Sequence, residues 1–509
     1  MPKTLNLDNI QGNVVGAFNK DFQSFLFLKF KSKATGRAWI KEIADGGNDV
    51  GVATSSSSAV LRFNAQFKAL TAQGIKPETV IGASWTHLAL SFAGLQTLGL
   101  KTSDLSKFPQ AFKDGMGTRN TVIGDVGPSD PSLWLAPFNT PGLHAVLIVA
   151  SDSEADLLSR VAEIKGTAAF GAGITVVAQP VEGRTRQDQG PTQVGHEHFG
   201  FKDGVSQPGL RGINSPDDPI TNPDQGHPGQ DLLWPGEFVL GYPTQKKKAK
   251  PGHDGPNPDP GALSKSGPAW TEDGSYLSFR RLAQDVAGFQ QQLQKLATAQ
   301  GLHIDLMGAK LVGRYKTGCP LEIRKFQTAP VSPTDPGLTD PALADSDTLN
   351  NNFEFGDDPQ GATCPLAAHI RKAYPRDEQT LPNAIDSESD TQTHRLLRRG
   401  IPFGGSFNAP KGGGANDPRG LLFLAYQTDL ERQFEFVQSK WVNNANFPPF
   451  PKGSHPGEDP IISQSGQGPF ELSPGKPTIA VSHFVTTTGG EYFFAPSIST
   501  LQKIGAGSI

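Results

Sequence analysis

The chain has 509 residues, 36% of them hydrophobic and 19% charged, and a net charge of −4. A single core stops growing near roughly 250–300 residues, so this length predicts two domains or one duplicated unit with insertions. The acidic balance, with no basic run longer than Lys246-Lys247-Lys248, argues against a nucleic-acid partner, and no apolar stretch approaches the roughly 20 residues that cross a bilayer.

The opening MPKTLNLDNIQG lacks the basic region and apolar core of a signal peptide, and no N-x-[ST] acceptor with a permitted middle residue occurs, which weakens a secreted reading without refuting it. Next comes FQSFLFLKF, an apolar run of strand length. A strand followed at once by a helix-period segment then recurs. It is weak in WTHLALSFAGLQTLG (85–99) and clear in HAVLIVASDSEADLLSRVAEIKG. In the second, residues 145–150 read as a buried strand, Ser151 with Glu154 as a capping box, and Leu157, Leu158, Val161 and Ile164 as one helix face.

The stretch from Gly212 to Gly267 is rich in Pro, Gly, Asp and Asn and reads as surface loop, interrupted by the strand-like GEFVLGYP. Strand-then-helix returns in GSYLSFRRLAQDVAGFQQQLQKLA (274–297). Residues 330–360 form a second irregular region, where Asp335, Asp340, Asp345 and Asp347 are spaced too loosely for a calcium loop. The last copy is RGLLFLAYQTDLERQFEFVQSKW, with a strand at 421–426, Thr428 and Glu431 as a capping box, and Leu430, Phe434 and Val437 as a buried stripe. Two related α+β units follow, placed at 1–190 and 191–509, with helices packed on antiparallel sheets.

Three short segments could carry chemistry. In HEHFGFKDGVSQPGL, Asp203 stands between Gly200 and Gly204 behind Phe199 and Phe201, a setting suited to acid/base work, although Asp-Gly alone predicts a surface turn. In CPLAAHIRKAYPR, His369 sits in an apolar run followed by Arg371, Lys372 and Arg376. A histidine so placed is more often a satisfied core residue than a ligand. In HRLLRRGIPFGG, the vicinal Arg398 and Arg399 are by default a solvated pair, but one could face a buried anion.

The order and wording of these segments resemble the dye-decolorizing peroxidase family, especially its fungal branch. The matching words are NIQGNVVGAF, HEHFGFKDGVSQP, GQDLLWPGEFVLGYP, GSYLSFRRL, CPLAAHIRKAYPR, LLRRGIPFG, RGLLFLAYQ, SKWVNNANFP and GGEYFFAPSI, which span nearly the whole chain. The family signature G-x-x-D-G stands at 200–204.

The resemblance implies an α+β fold of two ferredoxin-like units joined as a dimeric ferredoxin-like barrel, with long loop insertions and one noncovalent haem b in the C-terminal half. Neither Cys319 nor Cys364 lies in a C-x-x-C-H context, which excludes c-type attachment. Carried over by position, Asp203 is the distal acid/base, Arg398 the distal arginine and His369 the proximal iron ligand, with Asp459 as its hydrogen-bonded carboxylate. The same resemblance gives Arg371 a propionate contact, Leu421 and Phe423 a place in the distal pocket, and Trp441 a role in surface electron transfer, for which packing at a helix end is an equal alternative. Phe403 stands where relatives carry an oxidisable tyrosine, which puts a second surface route in doubt.

The implied partners are hydrogen peroxide and aromatic reductants, namely bulky dyes, phenols and lignin-like compounds, oxidised in one-electron steps through an oxoferryl intermediate. An acidic optimum is expected, because the proton carrier is a carboxylate. By resemblance the enzyme is extracellular; a cytoplasmic one is the alternative. A haem-handling protein of the same fold without turnover, or a haem-free binding module in which His369 is ordinary core, are the competing readings.

Overall fold

The computed structural model describes residues 3–45, 53–190, 193–253, 255–322, 350–407, 414, 417–464 and 467–509. Eight strands dominate it: β1 (Phe22–Phe30), β2 (Ser84–Leu90), β3 (Ala145–Ser151), β4 (Val181–Arg184), β5 (Ser275–Gln284), β6 (Ile401–Phe403), β7 (Gly420–Gln427) and β8 (Val485–Ala495). Each pairs antiparallel with two neighbours in the cyclic order β1-β3-β2-β8-β5-β7-β6-β4 and back to β1. The sheet therefore closes into a barrel, which removes free edges. Four staves come from before residue 190 and four from after it. The joins between the two sets are narrow, a single residue pair each: Leu90 with Phe494, and Gly183 with Phe403.

Strand alternation sorts the side chains into two environments. Phe25 and Phe27 of β1, Leu277 and Phe279 of β5, and Leu422, Leu424 and Tyr426 of β7 fill the barrel interior. Leu26, Leu28 and Phe30 point outward, where helix 33–45 covers them with Trp39, Ile40 and Ile43. Full burial of a phenylalanine such as Phe279 contributes about 2–3 kcal/mol. On the other flank, Leu282 of β5 and Val485 of β8 face outward under helix 286–300. A bulge between Thr487 and Gly489 of β8 changes which face the later residues present.

Most expected elements are present, and four details differ. Ser151 completes β3, and the cap of helix 154–166 is Ser153, whose hydroxyl accepts from Asp156 N. Leu158 of that helix is exposed, so its buried face is narrower than the periodicity implied. The stripe Leu430, Phe434 and Val437 is buried, but Thr428 caps nothing: its hydroxyl donates to Gly236 O, and Gln433 accepts from the Thr428 and Asp429 amides. A short turn at Phe434–Phe436 runs instead into a π-helical Val437–Val442. GEFVLGYP forms no strand. Pro235 opens a 3-10 turn whose carbonyl accepts from Phe238 and Val239, and Phe238, Val239 and Tyr242 then plug the barrel interior. The four aspartates at 335, 340, 345 and 347 lie outside the described residues. Among the described residues, no helix is long and apolar enough to cross a membrane.

Candidate active site

A deep cavity lies on the outer face of β5, β7 and β8, lined by Arg280, Leu282 and Gln284, by Leu421 and Phe423, and by Val485. On β7 the alternation is explicit: Leu421 and Phe423 are partly open to the cavity, and Leu422 and Leu424 are buried inside the barrel. The structure thus places both residues on the face expected of them.

The segment 197–205 brings Asp203 to one side. Gly200 and Gly204 adopt φ of 97° and 76°, conformations that glycine takes without strain, and the Asp203 amide donates to Gly195 O. Glu197 accepts from the Phe199 and Phe201 amides, both at 2.8 Å, which folds the loop over itself. Arg398, paired opposite Ala425 of β7, reaches Asp203 Oδ1 with Nη1 at 2.8 Å. The amide of Gly204 donates to the same oxygen at 2.6 Å. Oδ2 is not engaged among the described residues. Each side chain of this pair is about a third exposed, into the cavity. Burial works to raise the Asp203 pKa; Arg398, the Gly204 amide and His369 outweigh it and hold the carboxyl below its ordinary value.

His369 opens the short helix His369–Ala373 and lines the same cavity as Asp203 and Arg398. Its Nδ1 is 2.8 Å from Asp459 Oδ2. Asp459 is fully buried, and its Oδ1 accepts from Ile461 N and Ile462 N. Burial raises the Asp459 pKa and lowers that of His369, but their mutual attraction wins for both, so the carboxylate titrates low and the imidazole high. With Nδ1 held as donor, Nε2 presents its lone pair to the cavity. Lys372 fastens the helix by donating to Asn444 O and Phe447 O, both at 2.6 Å. Asp459→Asn is expected to weaken hemin binding about 10–100-fold in a Soret titration of the apoprotein; unchanged affinity would show that the carboxylate does not tune this imidazole.

Two expectations need correction. Arg371 does not reach the cavity: it is fully buried, its Nε and Nη2 on Glu378, and its remaining donors on the Cys364 and Asp358 carbonyls. Trp441 is not at the surface: it is 3% exposed and packs between Phe436, Phe447 and His394, while touching the cavity wall. Direct contact with a bulky dye is therefore closed to it.

The cations that do face the cavity include Arg314, Arg376 and Arg395. Arg314 donates only to the Gly318 and Asn350 carbonyls and to the Asn350 and Asn351 side chains. Arg376 donates to the Asn351 and Phe353 carbonyls and to Asn351 Oδ1. Among the described residues neither has an ion-paired carboxylate. Burial, reinforced by Arg376, pushes the Arg314 pKa down to about 9. A buried cation without a counter-ion is costly unless an anion joins it. Arg376 was visible seven residues beyond His369, and what conceals it in the sequence is the positive φ of 55° that turns it back. Arg314 carries no local signal.

The donor set has a definite chemistry. Two imidazoles line the cavity, His369 and His394, the second with its Nδ1 on Arg432 O, and among the described residues no cluster of three or more His, Cys, Asp or Glu could hold a metal ion. The apolar walls and the unneutralised guanidiniums suit a metal that brings its own equatorial ligands on an apolar frame with acidic arms.

Comparison with known proteins agrees. Residues 9–187 match the DyP dimeric alpha+beta barrel domain, and residues 309–447 match the C-terminal domain of Dyp-type peroxidases. Peroxidase 2 of Mycetinis scorodonius is 32% identical, over 98% of this chain and 87% of that protein. A dye-decolorizing peroxidase of Exidia glandulosa is 31% identical with the same coverage. Among solved structures, an ancestral D-type dye-decolorizing peroxidase superposes with a TM-score of 0.76 at 32% identity, covering 99% of this chain and all of that one. Another, a dye-decolorizing peroxidase in complex with 2,6-dimethoxyphenol, gives 0.73 at 30% identity, over 98% of this chain and all of that one. With both domain models matched and relatives aligned along almost its entire length, this chain belongs to the dye-decolorizing peroxidase family.

Proposed function

We infer that the chain is a haem peroxidase that uses hydrogen peroxide to oxidise dyes and phenolic or lignin-like aromatics, with one noncovalently bound haem b. The observation that carries this reading is that the Asp203–Arg398 pair and the Asp459-bonded His369 line one largely apolar cavity. His369 Nε2 would hold the iron, and Asp459 keeps the imidazole ring oriented and electron-rich. Arg314 and Arg376 supply the cationic partners for the propionates, in place of Arg371. Neither cysteine is placed for a thioether link, since both are buried in a separate cluster with Phe353 and Phe355.

When bound, haem supplies the iron that coordinates peroxide and accepts its two oxidising equivalents. The protein's part is proton handling and charge stabilisation. Asp203 Oδ1 is occupied by Arg398 and the Gly204 amide, so Oδ2 is the oxygen that takes the proton from the inner peroxide oxygen and returns it to the outer one. Arg398 donates to the oxygen on which negative charge builds. Leu421 and Phe423 exclude water from that face, which strengthens both interactions. Aromatic reductants then deliver one electron at a time.

The base must be ionised, and its folded pKa lies below the ordinary value, so the activity is present above that pKa and is lost as pH falls through it. In Arg398→Leu the largest counterweight to burial disappears. The acid limb of kcat/KM for peroxide should then move upward by about 1–3 pH units; a limb that stays put would remove Asp203 from the role of base.

The experiment that tests the reading as a whole is absorption and turnover together. Purified protein should show a Soret band that changes within milliseconds of mixing with peroxide, and should oxidise 2,6-dimethoxyphenol and an anthraquinone dye. A Soret band without that response would identify a haem carrier of the same fold.

A further inference from the structure

The barrel interior contains one polar constellation that the peroxide chemistry does not use. Tyr426 projects inward from β7 and His87 inward from β2, and both are completely buried. Tyr426 Oη lies 2.9 Å from His87 Nε2, and Asn13 Nδ2 donates to the same oxygen at 3.2 Å.

The proton positions follow from counting donors and acceptors. Asn13 Oδ1 already accepts from the Phe18 amide, so the Asn13 amide group can only donate to the phenol. The phenolic proton therefore has one acceptor, His87 Nε2, and the imidazole carries its own proton on Nδ1. Among the described residues that Nδ1 has no partner. The opposite tautomer would leave two groups unsatisfied, the phenol O–H and Nδ1 as an acceptor, and is the costlier choice. Burial holds the imidazole neutral, with a pKa of about 3, so the Nε2 lone pair is available at any working pH.

A phenol aimed at a neutral base inside a sealed core is the arrangement that lets a tyrosine lose an electron and a proton together. We propose that Tyr426 and His87 form an internal redox pair: one electron leaves Tyr426 for the oxidised prosthetic group while the Oη proton crosses to His87 Nε2. The O–H bond breaks, an N–H bond forms, Tyr426 is oxidised by one electron, and the prosthetic group is reduced by one. This step rests on the peroxidase reading, which supplies the oxidant. β7 connects the two places: Phe423 lines the cavity and Tyr426 is three residues further on, about 10 Å along the strand.

Two neighbours shape the pair. Arg399 lies within electrostatic reach of the phenol and is held by the carbonyls of Asn13, Val14, Val15 and Arg398, with no ion-paired carboxylate among the described residues. Its charge disfavours loss of the electron and opposes a second positive charge on His87, so the oxidised pair is a strong oxidant and the proton returns when the electron does. With both rings at 0% exposure, the proton has no path to solvent and stays in the pair.

The test is freeze-quench electron paramagnetic resonance on the haem-loaded protein mixed with one equivalent of peroxide and no reductant. A tyrosyl signal should form, broadened by ring and methylene protons and narrowed when tyrosine is deuterated. Of the six tyrosines, replacing this one alone, Tyr426→Phe, should abolish the signal while the peroxide-induced Soret change persists. His87→Leu should suppress the signal too, with Tyr426 still present, and this second variant stands if the first fails to fold. A tyrosyl signal unchanged in either folded variant, or no tyrosyl signal in the parent despite a Soret change, overturns the pair and leaves the peroxidase reading intact. Absence of any Soret change overturns both.

Discussion

Asp203→Ala should lower kcat/KM for hydrogen peroxide by about 10²–10⁴-fold, the usual range for losing a positioned acid/base. The Soret band of the resting protein should be unchanged, because His369 and its carboxylate partner lie across the cavity and do not touch Asp203. Glycines flank the substituted position, and the loop is held mainly by Glu197 and by backbone bonds, so the fold should tolerate the change. Stopped-flow measurement of the Soret change against peroxide concentration reads the effect directly. A loss smaller than about tenfold would mean that another group moves the proton. Glu197, also at the cavity wall, would be the candidate, but burial holds its pKa up and three donors already occupy it.

Arg371→Ala should destabilise the fold by about 3–5 kcal/mol, because it strands the buried Glu378 carboxylate without a partner. The loss should be the same in apoprotein and haem-loaded protein when unfolding is followed in urea. If Arg371 instead contacted a propionate, only the loaded form would suffer. Arg376→Ala should show the reverse pattern, with a small change in the apoprotein and weaker hemin binding. Comparing the two variants separates a structural ion pair from a ligand-binding cation that lies five residues away in the sequence.

The contrast between these arginines shows what the sequence could convey. Apolar runs located β1, β3 and β7 to within a residue or two, because nearly all their residues are buried or half-buried on both faces. The capping-box pattern misplaced the caps at Ser151 and Thr428, where the choice between neighbouring hydroxyls depends on which backbone groups arrive from elsewhere: Asp156 N in one case and Gly236 O in the other. GEFVLGYP has the composition of a strand, yet a proline-initiated turn takes its first backbone bonds, and the later ones go singly to Gly274 and Ser264 rather than into a ladder. Composition cannot separate these outcomes.

For the site, the local wording made Asp203, His369 and the Arg398-Arg399 pair candidates and the resemblance gave their roles, while nothing local brings them together, since Asp203 lies far ahead of the other two in the chain. Asp459 was reached by resemblance, and the 2.8 Å contact to His369 gives it a physical reason. Arg314 could not have been found, because nothing in LVGRYKTG marks one arginine as lacking a counter-ion until the fold closes over it. Trp441 was legible as an aromatic beside a helix end, but its depth depends on Phe436 and Phe447 stacking around it.

The closed order of the staves has a bearing on how the protein is made. Stave 485–495 sits between the second and the fifth, so a nascent chain on the ribosome exposes two unpaired edges until this stave has been synthesised. At roughly 5–20 residues per second that interval is about 25–100 s. Val485 also belongs to the cavity wall, so a pocket able to retain its prosthetic group is completed only once this stave has emerged, and chains that stop short of it should be recovered as aggregates lacking haem.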